Sequence, residues 1–512
     1  MSDDSDAFYR SLLKGGGVVM IGTVLQLAIS FVGMALIARF FGRTDYGAVS
    51  LGLTVMEFAA AISLLGLNTG VARYLPRYDS TADRRGVLVS AMQLALPTAV
   101  VVGIGIVVFA PTIATRAFDD SSVTPILRVV GATVPAVALV RMGTGAVQGL
   151  QLSRGKVVIQ NLTLPITRIV LIGCVLLFGF GVVGIALSYS LAYVAAALAA
   201  LYYLYRYTPL FASTDATNLR RPLITFSAPL IVGMTMGRVL TEIDTLLLGV
   251  SSAASTGDVG VYRAVYPIAS LLPFVLTALG FMFLPLISEL HANGRIAEMR
   301  RMFQVVTKWT VFATIPLFFA VAFFPDSVIG ITFGPDFLSG ATALQVLALA
   351  FFLPLLAGPN TNLLTTIGST RTIMYNDIAT AAVNVGLNLL LIPQYSFLGA
   401  AIATAVAYVF KNVVYSAQVY QKTGTHPITA SLAKPLVASL CAGIVLYLAV
   451  IETVRVTTLV FLAVVAGFTI VHGVLVLTLG GVEREEVMLV LSFEERFGVD
   501  LGPLKQIANR LM

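Results

Sequence analysis

Residues 457–479 read TTLVFLAVVAGFTIVHGVLVLTL, 23 positions without one Asp, Glu, Lys or Arg. A helix rises 1.5 Å per residue, so about 20 such residues cross the ~30 Å hydrocarbon core of a bilayer. Blocks of this kind recur along the whole chain. Bounded by charges or by Gly and Pro clusters, they fall at 18–41, 47–67, 87–110, 123–150, 157–178, 182–204, 222–250, 260–288, 305–324, 341–366, 374–392, 398–418, 434–451 and 457–479, and are numbered here as spans 1 to 14. The 512 residues are 58% hydrophobic and 11% charged, with a mean hydropathy of +0.92. A soluble domain carries roughly 25% charged residues, so this chain lacks the polar material to cover a water-facing surface. A soluble enzyme is excluded.

The loops are short, which leaves no room for a large domain outside the membrane. Their charges test the count of spans. One alternate set of loops, with both termini, holds 23 of the 32 Lys and Arg, among them Arg73, Arg77, Arg84, Arg85, Arg154, Lys156, Arg220, Arg221, Arg295, Arg300, Arg301 and Arg371. The opposite set holds six: Arg39, Arg43, Arg116, Arg128, Arg263 and Arg455. Positive charge accumulates in cytoplasmic loops, and a missed span would scramble the asymmetry from that point on. An even number of spans with both termini cytoplasmic is therefore expected, in the cell membrane. The net charge of +7 reflects this asymmetry and does not call for nucleic acid. Span 1 follows Asp3, Asp4 and Asp6 and precedes no small-residue cleavage site, so it reads as a retained helix. Residues 480–512 alternate charged and apolar positions, as an interfacial cytoplasmic helix or a loosely ordered tail would.

An internal repeat runs through the pattern. At a constant offset of 215 residues, Gly184, Ala186, Ala192, Tyr193 and Val194 meet Gly399, Ala401, Ala407, Tyr408 and Val409, and Lys156 meets Arg371. Spans 1–6 (18–204) and 7–12 (222–418) then form two lobes, with spans 13 and 14 (434–479) appended and a cytoplasmic N-terminus at 1–17. Six is even, so both halves enter from the same side and the repeat is parallel. The expected fold is an all-α polytopic membrane protein of about 14 transmembrane helices, built as two six-helix lobes plus two extra helices. Two lobes rocking about a central site are a recurrent solution to alternating access.

Ionisable residues inside spans are costly and face a cavity or a partner. Arg141 lies in span 4, Arg168 in span 5, Arg238, Glu242 and Asp244 in span 7, Glu57 in span 2 and His472 in span 14. Arg238 and Glu242 are four apart, so either they pair along one helix face or both face a substrate. Arg141 and Arg168 have no acid at i±3 or i±4, which favours an anionic ligand over a cross-helix contact with Glu57. Span 10 holds Pro354, Gly358, Pro359, Asn360 and Asn362. Its prolines free backbone carbonyls and bend the axis, and the asparagines then line a cavity or satisfy neighbouring helices. His472 reads as an interhelical hydrogen bond. Cys174 and Cys441 lie in apolar blocks without metal or disulfide spacing. No phosphate-cradling loop, nucleophile elbow or HExxH occurs, so catalysis is not expected.

Leu36-Ile-Ala-Arg-Phe-Phe-Gly-Arg-Thr-Asp-Tyr-Gly47, Ile243-Asp-Thr-Leu-Leu-Leu-Gly249 and Val259-Gly-Val-Tyr-Arg-Ala264 resemble the junctions of spans 1/2 and 7/8 in prokaryotic polysaccharide-biosynthesis flippases. These belong to the multidrug/oligosaccharidyl-lipid/polysaccharide exporter superfamily. The resemblance implies a fourteen-helix, two-lobed transporter that moves lipid-linked oligosaccharides, on polyprenyl phosphate or pyrophosphate, to the outer leaflet. It implies cationic cavity residues that meet the lipid phosphate, for which Arg141, Arg168 and Arg238 are the candidates. Arg39 and Asp244, within the motifs, become candidates for an outer gate, and spans 13 and 14 for a polyprenyl groove. No cofactor is expected beyond a possible coupling ion, Na⁺ or H⁺, held at Glu57 or Asp244, and one chain suffices to form the cavity. Two rivals stand beside this reading. A cation-coupled multidrug exporter of the same superfamily is disfavoured by the intramembrane arginines. A membrane glycan polymerase or ligase is disfavoured by the short outer loops.

Overall fold

The computed structural model describes residues 3–483, with side chains from Gly22 onward apart from those of 228–237, 239–240, 281–282 and 285. Most of the charged tail lies outside the described residues. Among the described residues every regular element is helical. Ten helices among the described residues are each long and apolar enough to cross a bilayer. Two of these are double. The helix Asp3–Leu64, 62 residues long, breaks at Gly42 (φ 75°, ψ 179°) between spans 1 and 2. The helix Thr370–Thr423, 54 residues long, breaks at Ser396 (φ 49°, ψ −131°) between spans 11 and 12. Span 7 is the helix Arg220–Val250. Span 8 is a pair, Thr256–Ala269 and Phe274–Gly280, bent by 46° and long enough to cross only when taken together. Dividing the double helices and counting spans 7 and 8 gives every one of the fourteen spans a helical counterpart.

The breaks have local causes. Gly42 lacks the Cβ that makes positive φ costly. Ser396 has one, and a left-handed residue of this kind costs about 1–3 kcal/mol. Its counterpart at the 215-residue offset is Gly181, also left-handed (φ 65°) and also at the turn between the fifth and sixth spans of its half. Span 8 bends at Pro273, which caps the second piece. Span 10 departs from one continuous helix. It runs as Ala341–Phe352, tightens to 3₁₀ over Leu353–Ala357 and resumes at Asn360–Thr366 after Gly358 (φ 74°). Pro354 and Pro359 supply the reason, since neither donates a backbone hydrogen bond. Span 5 opens with a π-helical stretch, Val157–Thr163. The ring of Pro165 would clash with the carbonyl four residues back, at Asn161, and a wider turn relieves it.

The helices cluster into two compact units. The first comprises Met1–Pro267, Thr332–Ala343 and Asp377–Thr404. Here spans 4 and 6 pack through small residues. Ala192, Ala196 and Ala200 lie one turn apart and are fully buried, and Gly143 leaves only 2.6 Å between a Cβ of its own and that of Ala200. Lipid offers no hydrophobic drive to helix association, so close backbone approach supplies the dispersion energy instead. The second unit comprises Ile268–Ile331, Leu344–Asn376 and Ala405–Met512. Its cores are larger side chains: Phe283, Phe303, Leu363 and Tyr415 in one cluster, and the stacked rings of Phe319 and Phe468, 3.9 Å apart, in another. His472 joins spans 9, 13 and 14 there. Ser439 Oγ lies 2.7 Å from its Nδ1 and the Phe312 carbonyl 3.0 Å from its Nε2, the interhelical role expected of it.

Candidate functional site

A cavity of about 590 Å³ opens within the first unit, lined by spans 1, 2, 4, 5, 6 and 7 and the first piece of span 8. Span 2 contributes Glu57 and span 4 contributes Arg141 and Gln148. The π-helical start of span 5 and the turn before it bring Lys156 and Gln160, and the following α-helix brings Arg168. Span 6 supplies Tyr189 and Tyr193, span 7 Arg238 and Glu242, and span 8 Arg263. Five basic side chains thus face two acidic ones, a formal surplus of three positive charges.

The ion pairs differ from a local reading of span 7. Arg238 does not pair with Glu242 four residues on. Glu57 Oε2 accepts from both Arg141 and Arg238, and Tyr193 donates its hydroxyl to the other oxygen, Oε1, at 3.1 Å. Glu242 instead takes Arg263 at 2.8 Å, with Thr54 donating at 3.5 Å. Arg141 therefore does have the cross-helix partner Glu57 and also lines the cavity. Arg168 is different: its guanidinium lies over the Tyr189 ring, 4.1 Å from the centroid, and its Nε is buried without an acceptor. Neither Arg168 nor Lys156 has an ion-pair partner among the described residues. Arg168 is thus held by stacking on Tyr189, without a hydrogen-bond acceptor for its Nε among the described residues.

Arg263 and Lys156 escaped the sequence reading because both were assigned to loops. Arg263 lies inside span 8 (260–288) but was counted with the outer loop charges, and Lys156 stands one residue before span 5 (157–178), whose helix starts at Ser153. Gln148, Gln160, Tyr189 and Tyr193 carried a weaker signal, polar side chains within apolar spans. Asn360 and Asn362 belong to the second unit and do not line this cavity. The Asn360 amide donates to Ser416 at 2.9 Å, and Asn362 fits against Gly280, where a Cβ would sit 2.5 Å from its Nδ2. Arg39 donates from Nε to the Thr332 carbonyl at 3.0 Å.

Asp244 is only 1% exposed. Tyr262 donates to its Oδ2 at 2.6 Å and Asn388 to its Oδ1 at 2.7 Å, with Thr404 as a further donor. Buried beside it are two amide oxygens without partners, Asn384 Oδ1 and Asn388 Oδ1.

Where the recognisable motifs meet, the backbones touch. A Cβ on Gly47 would overlap the Thr256 carbonyl oxygen, and one on Gly260 would overlap the Arg43 carbonyl oxygen. The contact is reciprocal: Gly47 lies against the Gly260 nitrogen and Gly260 against the Gly47 nitrogen. Near it, Thr256 donates to Asp120 at 2.6 Å in the loop between spans 3 and 4. Burial opposes the charged form of Asp120, but hydrogen bonds from Ser122 and Thr256 outweigh it and hold the carboxyl below its ordinary value.

Residues 12–291, more than half of the chain, match the family model described as polysaccharide biosynthesis protein. An uncharacterized membrane protein of Methanocaldococcus jannaschii is 24% identical over 438 residues, covering 78% of this chain and 82% of the relative. The structure of the Lipid II flippase MurJ in an inward closed conformation superposes with a TM-score of 0.74 at 14% identity, covering 89% of this chain and 97% of that one. An inward-facing multidrug resistance transporter of the MATE family superposes with a TM-score of 0.66 at 17% identity, covering 78% and 94%. At such identities the solved structures establish the fold and leave the cargo open. A membrane transporter fold and a family match over more than half of the sequence together place this chain in the polysaccharide biosynthesis protein family.

Proposed function

We propose that this protein is a flippase that carries a lipid-linked oligosaccharide, on polyprenyl phosphate or pyrophosphate, from the cytoplasmic to the outer leaflet by alternating access. The product would serve surface polysaccharide or glycoprotein assembly. The observation that carries the reading is the cationic surplus of a cavity set among membrane-spanning helices, in a member of a polysaccharide biosynthesis family. Each sugar hydroxyl placed unpaired in hydrocarbon costs about 4–8 kcal/mol, so an oligosaccharide needs a polar path. Its phosphate needs cations, and arginine binds phosphate bidentately. The loop asymmetry supports both termini in the cytoplasm of a cell-membrane protein. The MATE likeness keeps a drug exporter as the rival, and the charge of the cavity opposes it, because an excess of arginine repels a cationic drug. A deletion strain separates the two. Intact lipid-linked oligosaccharide accumulating while surface glycan disappears supports the flippase. Normal glycan pools with new drug sensitivity overturn it.

The same reading assigns the coupling ion to Asp244 rather than Glu57. Glu57 is committed to two arginines, whereas the described partners of Asp244 are all neutral. One carboxylate, the Thr404 hydroxyl and the two unpartnered amide oxygens form a set of hard oxygen donors suited to a single monovalent cation. A proton on Asp244 is the other form of the same coupling. In proteoliposomes, transport that follows an imposed Na⁺ gradient and loses that dependence in Asp244→Asn supports Na⁺. Dependence on a pH gradient alone supports the proton, and dependence on neither removes Asp244 from coupling.

A further inference from the structure

The cavity already contains an anion. Both Arg141 and Arg238 approach one oxygen of Glu57, from spans 4 and 7, while Tyr193 holds the other. A phosphate oxygen bridging two guanidinium groups makes the same contact, since each guanidinium offers five N–H donors and a carboxylate oxygen presents equivalent lone pairs. The cluster is open to a ligand: the side chains of Glu57, Arg141 and Arg238 are 20%, 20% and 35% exposed. The cavity therefore holds two kinds of cationic position. Arg168 and Lys156 have no acidic partner among the described residues, and Arg141 and Arg238 share one.

We propose that Glu57 is a built-in counter-anion, seated between Arg141 and Arg238 where an anionic oxygen of the transported headgroup binds, so that loading exchanges one anion for another. This rests on the flippase reading and deepens it. The incoming phosphate meets Arg168 and Lys156 first and then competes with Glu57 for the second pair of arginines. A carrier must release what it binds, and sites that conduct are favourable enough to enter yet weak enough to leave. Without Glu57, the four cations not paired with Glu242 would hold a multivalent anion. Return of the Glu57 carboxylate to Arg141 and Arg238 assists release.

A Glu57 that only ties spans 2, 4 and 7 together makes a different forecast for Tyr193→Phe. Glu57→Gln raises the positive potential whatever the role of Glu57, but Tyr193→Phe leaves the cavity charge unchanged and would not tighten anion binding. The test measures binding of inorganic pyrophosphate to the purified full chain by titration calorimetry. Glu57→Gln is expected to bind about tenfold or more tighter than wild type, the scale of one charge-assisted hydrogen bond gained. Tyr193→Phe loosens the hold on Glu57 without touching the arginines. It is expected to bind tighter by about twofold or more, the scale of a weak neutral hydrogen bond, and it serves if Glu57→Gln does not fold. Wild type binding pyrophosphate while Tyr193→Phe binds it no more tightly overturns the counter-anion and leaves the flippase standing. Absence of pyrophosphate binding in wild type and both variants, with binding of the lipophilic cation tetraphenylphosphonium, overturns the anionic-headgroup reading and the counter-anion with it.

Discussion

Replacing Arg168 by glutamine separates binding from folding. Arg168 ends in a guanidinium that stacks on Tyr189 and has no acid among its described partners. On the ligand side, a charge-assisted hydrogen bond is worth about 1.5–3 kcal/mol. At 1.4 kcal/mol per tenfold, its loss weakens phosphate binding by roughly 10- to 150-fold. On the folding side, the variant forfeits a cation–π contact worth about 0.5–2 kcal/mol. It also removes a charge that is partly desolvated without a counter-ion, and this offsets the loss. The expected result is therefore a large defect in transport with a near-native melting temperature. Arg141→Gln differs, since it strips Glu57 of one of two arginines and should lower both. The assay is headgroup translocation in proteoliposomes beside a melting scan of the same preparation. Arg168→Gln transporting within about twofold of wild type, below the range expected for one lost charge-assisted bond, would refute the assignment of a phosphate to this arginine.

Three further outcomes follow from the packing. Gly47→Ala should abolish transport while the protein still reaches the membrane, because the added Cβ overlaps the Thr256 carbonyl and the two helices must part. A cysteine pair flanking the crossing, cross-linked in wild type and not in the variant, reports this. His472→Phe leaves the Phe312 carbonyl and Ser439 without their partner and should lower stability by about 1–2 kcal/mol, near the upper end for interhelical hydrogen bonds in membranes. Transport at low temperature should be unchanged, since His472 does not line the cavity. The carboxyl of Asp120 is held below its ordinary value, so its contribution to stability is present above the unfolded carboxylate range and is lost as pH falls through the depressed folded value. Asp120→Asn should flatten the acid limb of the melting curve.

The fold was largely legible because the bilayer imposes one length on every helix, and an apolar block such as 457–479 admits a single reading. Breaks at Gly42 and in span 10 were visible as Gly and Pro. The break at Ser396 was not, since nothing in a serine announces a left-handed residue, although its repeat partner Gly181 could have pointed to it. In the site, Glu57, Arg141, Arg168, Arg238 and Glu242 stood out as charges inside spans. Their pairing did not. A local reading joins Arg238 to the acid one turn away, whereas the fold joins it to Glu57, 181 positions earlier, while Arg263 of span 8 takes Glu242. Lys156 was lost to boundary error, in which one helical turn decides between a loop and a cavity, and Arg263, inside span 8, was counted as a loop charge. The glycines of the motifs were read as a family signature, and their purpose became plain only as a backbone contact.

That contact has the form of an isologous interface. In a two-fold homodimer, residue i meets residue j and residue j meets residue i. Here position 47 meets 256 and 260, and position 260 meets 43 and 47, the same spacing read in both directions. The chain therefore carries inside itself a patch that behaves as two subunits would. Whatever widens one side widens the other by the same amount, so neither helix leads when the crossing parts. A bulky side chain on one glycine cannot be accommodated by trimming its own surroundings. The atom it would meet is a backbone carbonyl oxygen, which no substitution on the opposite helix removes, so one contact holds both positions to glycine.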